Sequence, residues 1–371
     1  MHTSLDPVRA CADCLRRTRL LELLAPHIER ARHRRRLPQL LALSDADLLA
    51  AVGGARRGAI AAEIERFDAG AACAGLRSAG LSARCRHDEG YPARLGVADD
   101  APAVLTIAGD ATLLDALSDE RAIAVAVVGA RRATSYGREV SLSLGRSLAR
   151  AGVPVVSGLA LGIDAAAHAG ALEAGGPTIA VLAGGADRVY PRSSASLYRR
   201  IVDGGGCVLS EMPAGFVPFK WGFPARNRII AGLADLTVVV EAAVRSGSLI
   251  TAELAQDLGR VVAAVPGAVT SPASAGANAM LRDGAALVRD AQDVLDTLLG
   301  AGVVTAAATP HAGLDRRLLA LLERIGGQEA GLAQLLSASV DVDATLAALT
   351  ELELLGLIRR APGGMYVRTL A

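Results

Sequence analysis

The sequence is poor in aromatic side chains and in lysine. Its 371 residues include one Trp, five Tyr and four Phe, and Lys220 is the single lysine. Acidic and basic residues nearly cancel, with 38 of the first kind and 39 of the second. Net charge therefore gives no argument for binding nucleic acid, and any such site must come from a local placement of charge.

Cysteines and long apolar runs are also scarce. Five cysteines in a chain of this length do not form the disulfide framework of a small secreted domain. No stretch of about eighteen residues is continuously apolar, which argues against a membrane span. The first fourteen residues contain Asp6 and no apolar run, so we expect no signal peptide. These absences predict a cytoplasmic protein whose cysteines are reduced and which does not bind a membrane.

Two of the cysteines, Cys11 and Cys14, form a C-x-x-C pair that could ligate zinc together with Cys85 and His87. Four such ligands can surround zinc as a tetrahedron. A single C-x-x-C pair is weak evidence, however, and the other two residues lie far along the chain. We therefore predict no metal site from the sequence and leave the zinc alternative open.

Apolar spacing divides the chain into three parts. Residues 1–85 have helical periodicity in Leu20–Arg35 and Leu40–Val52, which predicts an N-terminal helical domain. Residues 86–299 alternate short apolar runs with helical segments, which predicts an α/β fold with a mostly parallel, doubly wound, Rossmann-like sheet. The predicted strands are Ile123–Val128, Val153–Val156, Thr178–Leu182, Cys207–Leu209, Leu236–Val240, Val261–Val265 and Ala286–Val288.

The third part follows a predicted linker of small, uncharged residues at 300–313. Residues 314–371 contain three helical segments and two strands around Gly363 and Gly364, which is typical of a winged helix. The third helix, Asp343–Leu355, contains acidic side chains but no Lys, Arg, Asn or Gln. Since an acidic helix repels phosphate, we expect this module to bind protein and not to read duplex DNA. Its small core is predicted to contain Leu346, Leu349, Leu352 and Leu355.

Small and hydroxyl-bearing residues follow the predicted strands. In open α/β sheets, ligands bind at the carboxyl ends of the strands. Glycine lets the backbone approach a ligand, and Ser or Thr at a helix start leaves N–H groups facing an anion. The predicted phosphate-binding residues at these strand ends are Gly129, Arg131, Arg132, Thr134, Ser157, Gly158, Ser246, Gly247, Ser248, Thr251 and Gly267.

The first strand end does not fit a nucleotide cofactor. A nicotinamide dinucleotide site needs G-x-G-x-x-G there and an acid about twenty residues later. The chain has Gly129-Ala130-Arg131 instead, and its second strand ends in Ser157-Gly158. The P-loop pattern G-x-x-x-x-G-K-[ST] is absent as well. We therefore expect no cofactor.

Aromatic residues concentrate in one short segment. Four of the ten lie within Phe216–Phe223, the single tryptophan among them, and the single lysine lies in the same segment. Single-stranded nucleic acid is held by aromatic faces that stack bases and by cations that track phosphates. We predict that Lys220 and Trp221 face the ligand, whereas Phe223, which precedes Pro224, fills core space. The predicted DNA-binding set also contains Lys220, Arg226, Asn227 and Arg228.

Within this set, Arg131, Lys220 and Arg226 are predicted to track the phosphates. A separate basic run at residues 29–36 either forms a solvated helix face, which we favour, or contacts DNA.

Motifs spread over residues 86–298 resemble the DNA-processing protein A family, also called DprA or Smf. The matching segments are Gly129-Ala130-Arg131 with Thr134 to Gly137, Ser157-Gly158 with Gly162 to His168, Ser210-Glu211, Phe223 to Arg228, Glu241 with Ser246 to Thr251, and Pro266-Gly267. Ala130 stands where the family usually has Ser, so one hydroxyl is lost at the first strand end.

This resemblance implies a function in binding and not in catalysis. The family's Rossmann-like domain binds single-stranded DNA, helps to load RecA onto it, acts in natural transformation and forms a homodimer. The N-terminal helices are similar to SAM or helix-hairpin-helix modules. We therefore expect single-stranded DNA and RecA as partners and no catalytic residue.

Two other function classes stay open. Related Rossmann-like hydrolases cleave nucleoside monophosphates, and such an enzyme needs a paired acid and base. Candidates by position are Glu211, Glu241, Asp164 and His168, although the helix at Ser246 lacks the Pro-Gly-Gly-x-Gly-Thr stretch of those enzymes. The third class is an interaction scaffold with a vestigial pocket.

Overall fold

The computed structural model describes residues 6–31, 37–302, 314–325, 330–337, 341–355, 357–361 and 363–368. The chain forms two compact units, residues 1–304 and 305–371. Residues 32–36 of the basic run and residues 303–313 of the predicted linker lie outside the described residues. The domain boundaries inferred from the sequence stay a prediction.

The described residues of the first unit form one sheet of ten strands. These are β1 (Val8–Arg9), β2 (Ser82–Cys85), β3 (Val104–Gly109), β4 (Val125–Val128), β5 (Val155–Ser157), β6 (Thr178–Val181), β7 (Cys207–Ser210), β8 (Leu236–Val239), β9 (Val261–Ala264) and β10 (Ala286–Leu287). Their order is β1-β2-β3-β7-β6-β5-β4-β8-β9-β10. Only β3 pairs antiparallel with its neighbours, β2 and β7. The mostly parallel α/β sheet predicted from the sequence is confirmed.

Helices connect these strands and surround the sheet. Those of the first unit are α1 (Ala12–Ala31), α2 (Leu37–Leu41), α3 (Asp45–Val52), α4 (Arg57–Glu65), α5 (Ala69–Ser78), α6 (Ala93–Gly96), α7 (Thr112–Asp115), α8 (Ser135–Arg150), α9 (Ile163–Glu173), α10 (Ala195–Asp203), α11 (Gly222–Leu233), α12 (Gly247–Asp257), α13 (Ala275–Arg282) and α14 (Ala291–Leu299). Among the described residues, no helix combines the length and the apolar character that crossing a membrane requires.

The central strands are apolar because they are buried on both faces. Every residue of β4 is at most 4% exposed. Its alternate side chains, such as Ala126 and Val128, belong to a core that also contains side chains of α11 and α12. Helices α8 and α9 approach each other closely, and a Cβ atom on Gly170 would overlap the backbone carbonyl of Leu142. Burial on both faces explains why these strands read as continuous apolar runs.

The order of the strands places a crevice beside β4. From β4 the chain builds outward through β5, β6 and β7 on one side, and β8, β9 and β10 lie on the other. Such a reversal is the point at which open α/β sheets bind ligands, outside the carboxyl ends of the strands. The loops after β4 and β8 therefore border the expected site.

The N-terminal part differs from its sequence-based prediction in two respects. The helix predicted over Leu40–Val52 is two helices, because Ser44 caps α3 by accepting a hydrogen bond from the N–H of Asp47 at 3.2 Å. In addition, β1 and β2 extend the sheet, and β1 pairs parallel to β2 in the register Val8 with Ala83. Helices α1 to α4 share an apolar core with Trp221 and its neighbours.

The second unit is small and has its own core. It contains α15 (Arg316–Ile325), β11 (Ala330–Gly331), α16 (Leu332–Ser337), α17 (Val342–Leu354), β12 (Ile358–Ala361) and β13 (Met365–Arg368). Its strands are antiparallel in the order β11-β13-β12. Leu349 and Leu352 are buried as predicted, but Leu346 is 38% and Leu355 is 51% exposed. Residues spaced by three drift by about 60° per step around a helix of 3.6 residues per turn, so the two outer leucines of the four lie off the buried face. The winged-helix assignment stays a prediction.

Candidate nucleic-acid interface

Two adjoining cavities lie at the carboxyl edge of the sheet. The Tyr190 cavity, of about 210 Å³, is lined by residues that follow β5 and β6, including Gly158, Gly184, Arg188 and Tyr190. The Ser246 cavity, of about 380 Å³, lies where β4 and β8 end. Four residues border both cavities, namely Arg131, Ala160, Phe223 and Arg226. The sequence had assigned Arg131 and Arg226 to the same site, and the structure brings them together.

Phe223 lines both cavities and Tyr190 lines one of them, and the prediction that Phe223 fills core space is wrong. It is half-buried at the start of α11. Its ring centroid lies 5.3 Å from that of Tyr190, and the guanidinium carbon of Arg131 lies 5.4 Å from the ring centre. Pro224 suits the first turn of the helix and does not turn the preceding ring inward. An aromatic face beside a cation is the arrangement that stacks a base next to a phosphate.

Trp221 behaves in the opposite way, and the prediction that it faces the ligand is wrong. Its side chain is 1% exposed and packs against α1. The indole Nε1–H donates to the carbonyl oxygen of Ala25 at 3.1 Å, and the backbone N–H donates to Glu29. A ring enclosed in this way offers no free face for a base, so the single tryptophan joins the N-terminal helices to α11.

Two arginines supply accessible positive charge at the cavities. Arg131 and Arg188 are both exposed, and neither forms an ion pair within the part of the chain that the structure describes. The sequence analysis missed Arg188. It follows Gly184-Gly185 at the end of β6, so the same strand-end rule that selected Arg131 selects it as well.

Arg226 is held more tightly than the other two cations. It is 6% exposed, and its Nη1 donates to the carbonyl oxygens of Gly158 and Val181, each at 2.5 Å. Burial lowers the pKa of its guanidinium to about 10. A Cβ atom on Gly158 would lie 2.5 Å from the guanidinium carbon. Gly158 therefore makes room for Arg226, which links the ends of β5 and β6 and also borders both cavities.

Asp164 is the acidic side chain among the described residues that line either cavity. Its Oδ2 accepts hydrogen bonds from the backbone N–H groups of Gly158 at 3.1 Å and Ala160 at 3.3 Å. Burial raises the pKa of this carboxyl, whereas the charge of Arg226 acts in the other direction. Its contacts order the loop after β5. Ser157, just before that loop, is fully buried and donates from Oγ to the carbonyl of Val127 at 2.6 Å.

The start of α8 already holds an anion, which belongs to the protein itself. Glu241, 2% exposed, accepts from the backbone N–H of Thr134 at 2.9 Å and from its hydroxyl at 2.5 Å. The Thr134 hydroxyl in turn accepts from the N–H of Gly137 at 3.1 Å. The predicted phosphate position at Thr134 is thus occupied by the Glu241 carboxylate, which the sequence analysis did not pair with it.

The start of α12 is the helix terminus that opens into the Ser246 cavity. Ser246 caps the helix by accepting from the N–H of Ser248 at 3.4 Å, and the two hydroxyl oxygens lie 2.7 Å apart. Asn227 donates from Nδ2 to the carbonyl of Gly247 at 3.3 Å. This cavity is lined by Ser246, Gly247, Ser248 and Thr251 of the strand-end set and by Asn227 of the aromatic segment, and their binding of DNA stays a prediction.

Gly129 also lines the Ser246 cavity, whereas other members of the predicted set line neither cavity, namely Arg132, Lys220, Arg228 and Gly267. Arg228 is 4% exposed and pairs with Glu211 at 2.5 Å and Asp100 at 3.4 Å. Gly267 exchanges hydrogen bonds with the side chain of Asn278. Lys220 and Arg132 are exposed on the loops before α11 and α8. Buried ion pairing gives Arg228 a structural role, because its charge is already compensated inside the protein.

The acidic and histidine side chains considered for catalysis likewise make contacts within the protein. Glu211 pairs with Arg228, and Glu241 binds Thr134, the residue that caps α8. His168 is fully buried with Nδ1 2.7 Å from the hydroxyl of Thr178, and burial lowers its pKa to about 3. Among the described residues, the cavities contain no second acid or base that Asp164 could work with, which a hydrolase would need.

Comparison with known proteins gives consistent matches. Residues 82–299 match the family described as DNA recombination-mediator protein A. The chain is 46% identical over 236 residues to a DNA processing protein DprA of Mycobacterium tuberculosis, covering 63% of this chain and 59% of that protein. It is 37% identical over 289 residues to the protein Smf of Escherichia coli, covering 76% and 75% of the two chains.

Solved structures similar to this chain include two of DNA processing protein A. DNA processing protein A from Streptococcus pneumoniae is 34% identical, with a TM-score of 0.60 over 76% of this chain and 95% of the other. DNA processing protein A from Helicobacter pylori, whose structure was described for its single-stranded DNA binding mode, is 32% identical, with a TM-score of 0.52 over 59% and 95%.

Proposed function

Because the chain belongs to the DNA recombination-mediator protein A family, we propose that it binds single-stranded DNA along the two cavities at the carboxyl edge of its sheet. The observation that carries this proposal is the position of Phe223, whose ring lies between the two cavities and beside the guanidinium of Arg131. Base stacking on an aromatic face tolerates any sequence, so one such ring suits a protein that binds strands of many sequences.

Charge at the cavities supports the same proposal. Arg131 and Arg188 are exposed and have no acidic partner among the described residues, so both are available to phosphates. The start of α12 adds backbone N–H groups that favour an anion in the Ser246 cavity. Both arginines line the Tyr190 cavity together with Phe223, so a strand with one base stacked on the ring would have two cations available for its phosphates.

The proposal has a finer part, which rests on family membership. The chain protects incoming or processed single-stranded DNA, helps to load RecA onto it as in natural transformation, and acts as a homodimer without turning over a substrate. RecA filament assembly on coated single strands, measured with and without the protein, tests this part. A filament rate that the protein leaves unchanged would contradict it.

Salt-dependent binding tests the site itself. The wild-type protein is titrated with a fluorescent oligo-dT and with a duplex of equal length at several salt concentrations. Each phosphate contact that is lost should reduce the slope of log K against log salt by roughly 0.7. We expect that reduction for Arg131→Ala and for Arg188→Ala, and about twice as much for the double variant.

The matched control is Arg282→Ala, which removes an exposed arginine that pairs with Asp283. Its slope should equal that of the wild type. If Arg131→Ala and Arg188→Ala also leave the slope unchanged, the strand does not follow this edge. If the wild type binds duplex as tightly as oligo-dT, the proposal of a single-strand site is wrong.

A further inference from the structure

Three cysteines and one histidine meet at the edge of the sheet, away from the cavities described above. Cys11 and Cys14 lie at the start of α1, Cys85 is the last residue of β2, and His87 follows it. One ligand atom from each of the four residues lies within 4.8 Å of all the others. Cys14 and Cys85 are buried, whereas Cys11 and His87 are exposed.

The distances approach those of a metal-binding tetrahedron. Nδ1 of His87 lies 3.4 Å from Sγ of Cys11 and 3.4 Å from Sγ of Cys14. With zinc bonds of about 2.3 Å to sulfur and about 2.0 Å to nitrogen, the edges of a tetrahedron measure roughly 3.5–3.8 Å. The four atoms therefore need to move only slightly to share one ion.

The pairing of β1 with β2 brings these four residues together, although they are distant in sequence. Strands β1 and β2 pair in parallel with Arg9 opposite Arg84, so the residues that follow both strands emerge side by side. The backbone N–H of Cys11 points at Sγ of Cys85 at 3.5 Å, across 74 positions of sequence. An N–H directed at a ligating sulfur is the kind of outer contact that orients metal ligands.

Ligand chemistry selects the metal. Thiolates favour zinc, copper(I) and iron–sulfur clusters, whereas calcium and magnesium require oxygen ligands. Three cysteines with one histidine, four ligands in all, are typical of closed structural zinc sites. Three thiolates bound to one zinc ion leave a net negative charge of one. Arg86 borders the same cavity as Cys14 and His87, so its positive charge offsets that negative charge.

We propose that Cys11, Cys14, Cys85 and His87 bind one zinc ion, which joins the start of α1 to the end of β2. The ion has a structural role, since all four positions of the tetrahedron are filled by protein and none is left for a substrate. It fastens the N-terminal helices to the sheet, and through α1 it supports the packing around Trp221. The inference is independent of the proposed DNA function.

Metal analysis of the full-length protein tests the inference. The chain is purified under reducing conditions without chelator, and its zinc and iron contents are measured by inductively coupled plasma mass spectrometry. We expect one zinc per chain, release of that zinc by a thiol-modifying reagent, and, after replacement by cobalt(II), the visible absorption bands of tetrahedral cobalt bound to thiolates.

Variants locate the site. Cys14→Ser and His87→Ala should lose the zinc and the cobalt spectrum, whereas Cys73→Ser should keep both, because Cys73 lies outside the cluster. If Cys14→Ser does not fold, the exposed Cys11→Ser replaces it. The inference is overturned if the wild type holds no zinc as purified or after reloading, if it holds iron instead, if Cys11 and Cys14 form a disulfide in the reduced preparation, or if Cys73→Ser loses as much metal as the cluster variants.

Discussion

Replacing Phe223 by Leu tests the role of this ring in binding. Leucine retains an apolar side chain but removes the aromatic face and its contact with the Arg131 guanidinium at 5.4 Å. Stacking contributes about 1–3 kcal/mol per base, which corresponds to a roughly 5-fold to 150-fold weaker Kd for oligo-dT. Phe223→Tyr keeps the ring and should bind nearly as well as the wild type.

Two further measurements separate stacking from other causes. The slope of log K against log salt should stay near that of the wild type in Phe223→Leu, because no positive charge is removed. The free energy of unfolding in urea should change little, because the ring is only half-buried and lines open cavities. The variant should therefore lose affinity without losing its fold.

Trp221→Phe is the counterpart and should show the reverse. The indole hydrogen bond to Ala25 is lost and the smaller ring underfills a fully buried position, which together cost about 1–3 kcal/mol of stability. Oligo-dT affinity should stay near wild type, because the indole faces α1 and not the cavities. The reasoning is refuted if Trp221→Phe weakens binding as much as Phe223→Leu does, or if Phe223→Leu binds like the wild type.

Three more predictions concern pH, turnover and the second unit. Since burial holds the pKa of His168 at about 3, below its ordinary value of 6.5, the unfolded chain binds the proton first as pH falls. The free energy of unfolding should therefore fall as the pH is lowered from 6.5 to 3, and His168 should account for at most about 1.4 kcal/mol of that fall per pH unit. His168→Gln should lose this part of the pH dependence. If the free energy of unfolding of His168→Gln depends on pH as that of the wild type does, His168 is not the buried neutral group. The wild type should release no free base from nucleoside monophosphates. Glu241→Gln should lower the free energy of unfolding by about 0.5–2 kcal/mol, because the contacts at the start of α8 are weakened. If the wild type releases free base and Glu241→Gln abolishes that release, the protein is a nucleoside-monophosphate hydrolase. A chain ending at residue 304 should bind oligo-dT like the full-length protein, because the first unit contains both cavities; tight duplex binding by the isolated 305–371 unit would contradict the expectation that it binds protein.

Local sequence patterns were sufficient to predict strands β4 to β10 and the edge of the sheet at which we propose that DNA binds. Continuous apolar runs at Val125–Val128 and Leu236–Val239 predict strands buried on both faces, because burial acts on each strand separately. Glycine and serine after those strands mark the carboxyl edge, and Arg131, Asn227 and Ser246 all border the cavity there. The antiparallel β3 was missed, since a single apolar run gives no direction or partner.

Side-chain orientation was decided only by tertiary structure. Phe223 and Trp221 are two residues apart, and nothing in their spacing tells which ring packs against α1 and which faces the cavities. Their roles depend on a helix some two hundred positions earlier in the chain.

Partners distant in sequence were decided in the same way. Glu241 occupies the start of α8, 107 positions from Thr134, and Glu211 neutralises Arg228 inside the core. The cluster of Cys11, Cys14, Cys85 and His87 likewise exists because β1 pairs with β2 in one register. Hydrogen bonds and ion pairs depend on distances of a few ångströms, and such distances arise only when the folded chain brings remote segments together.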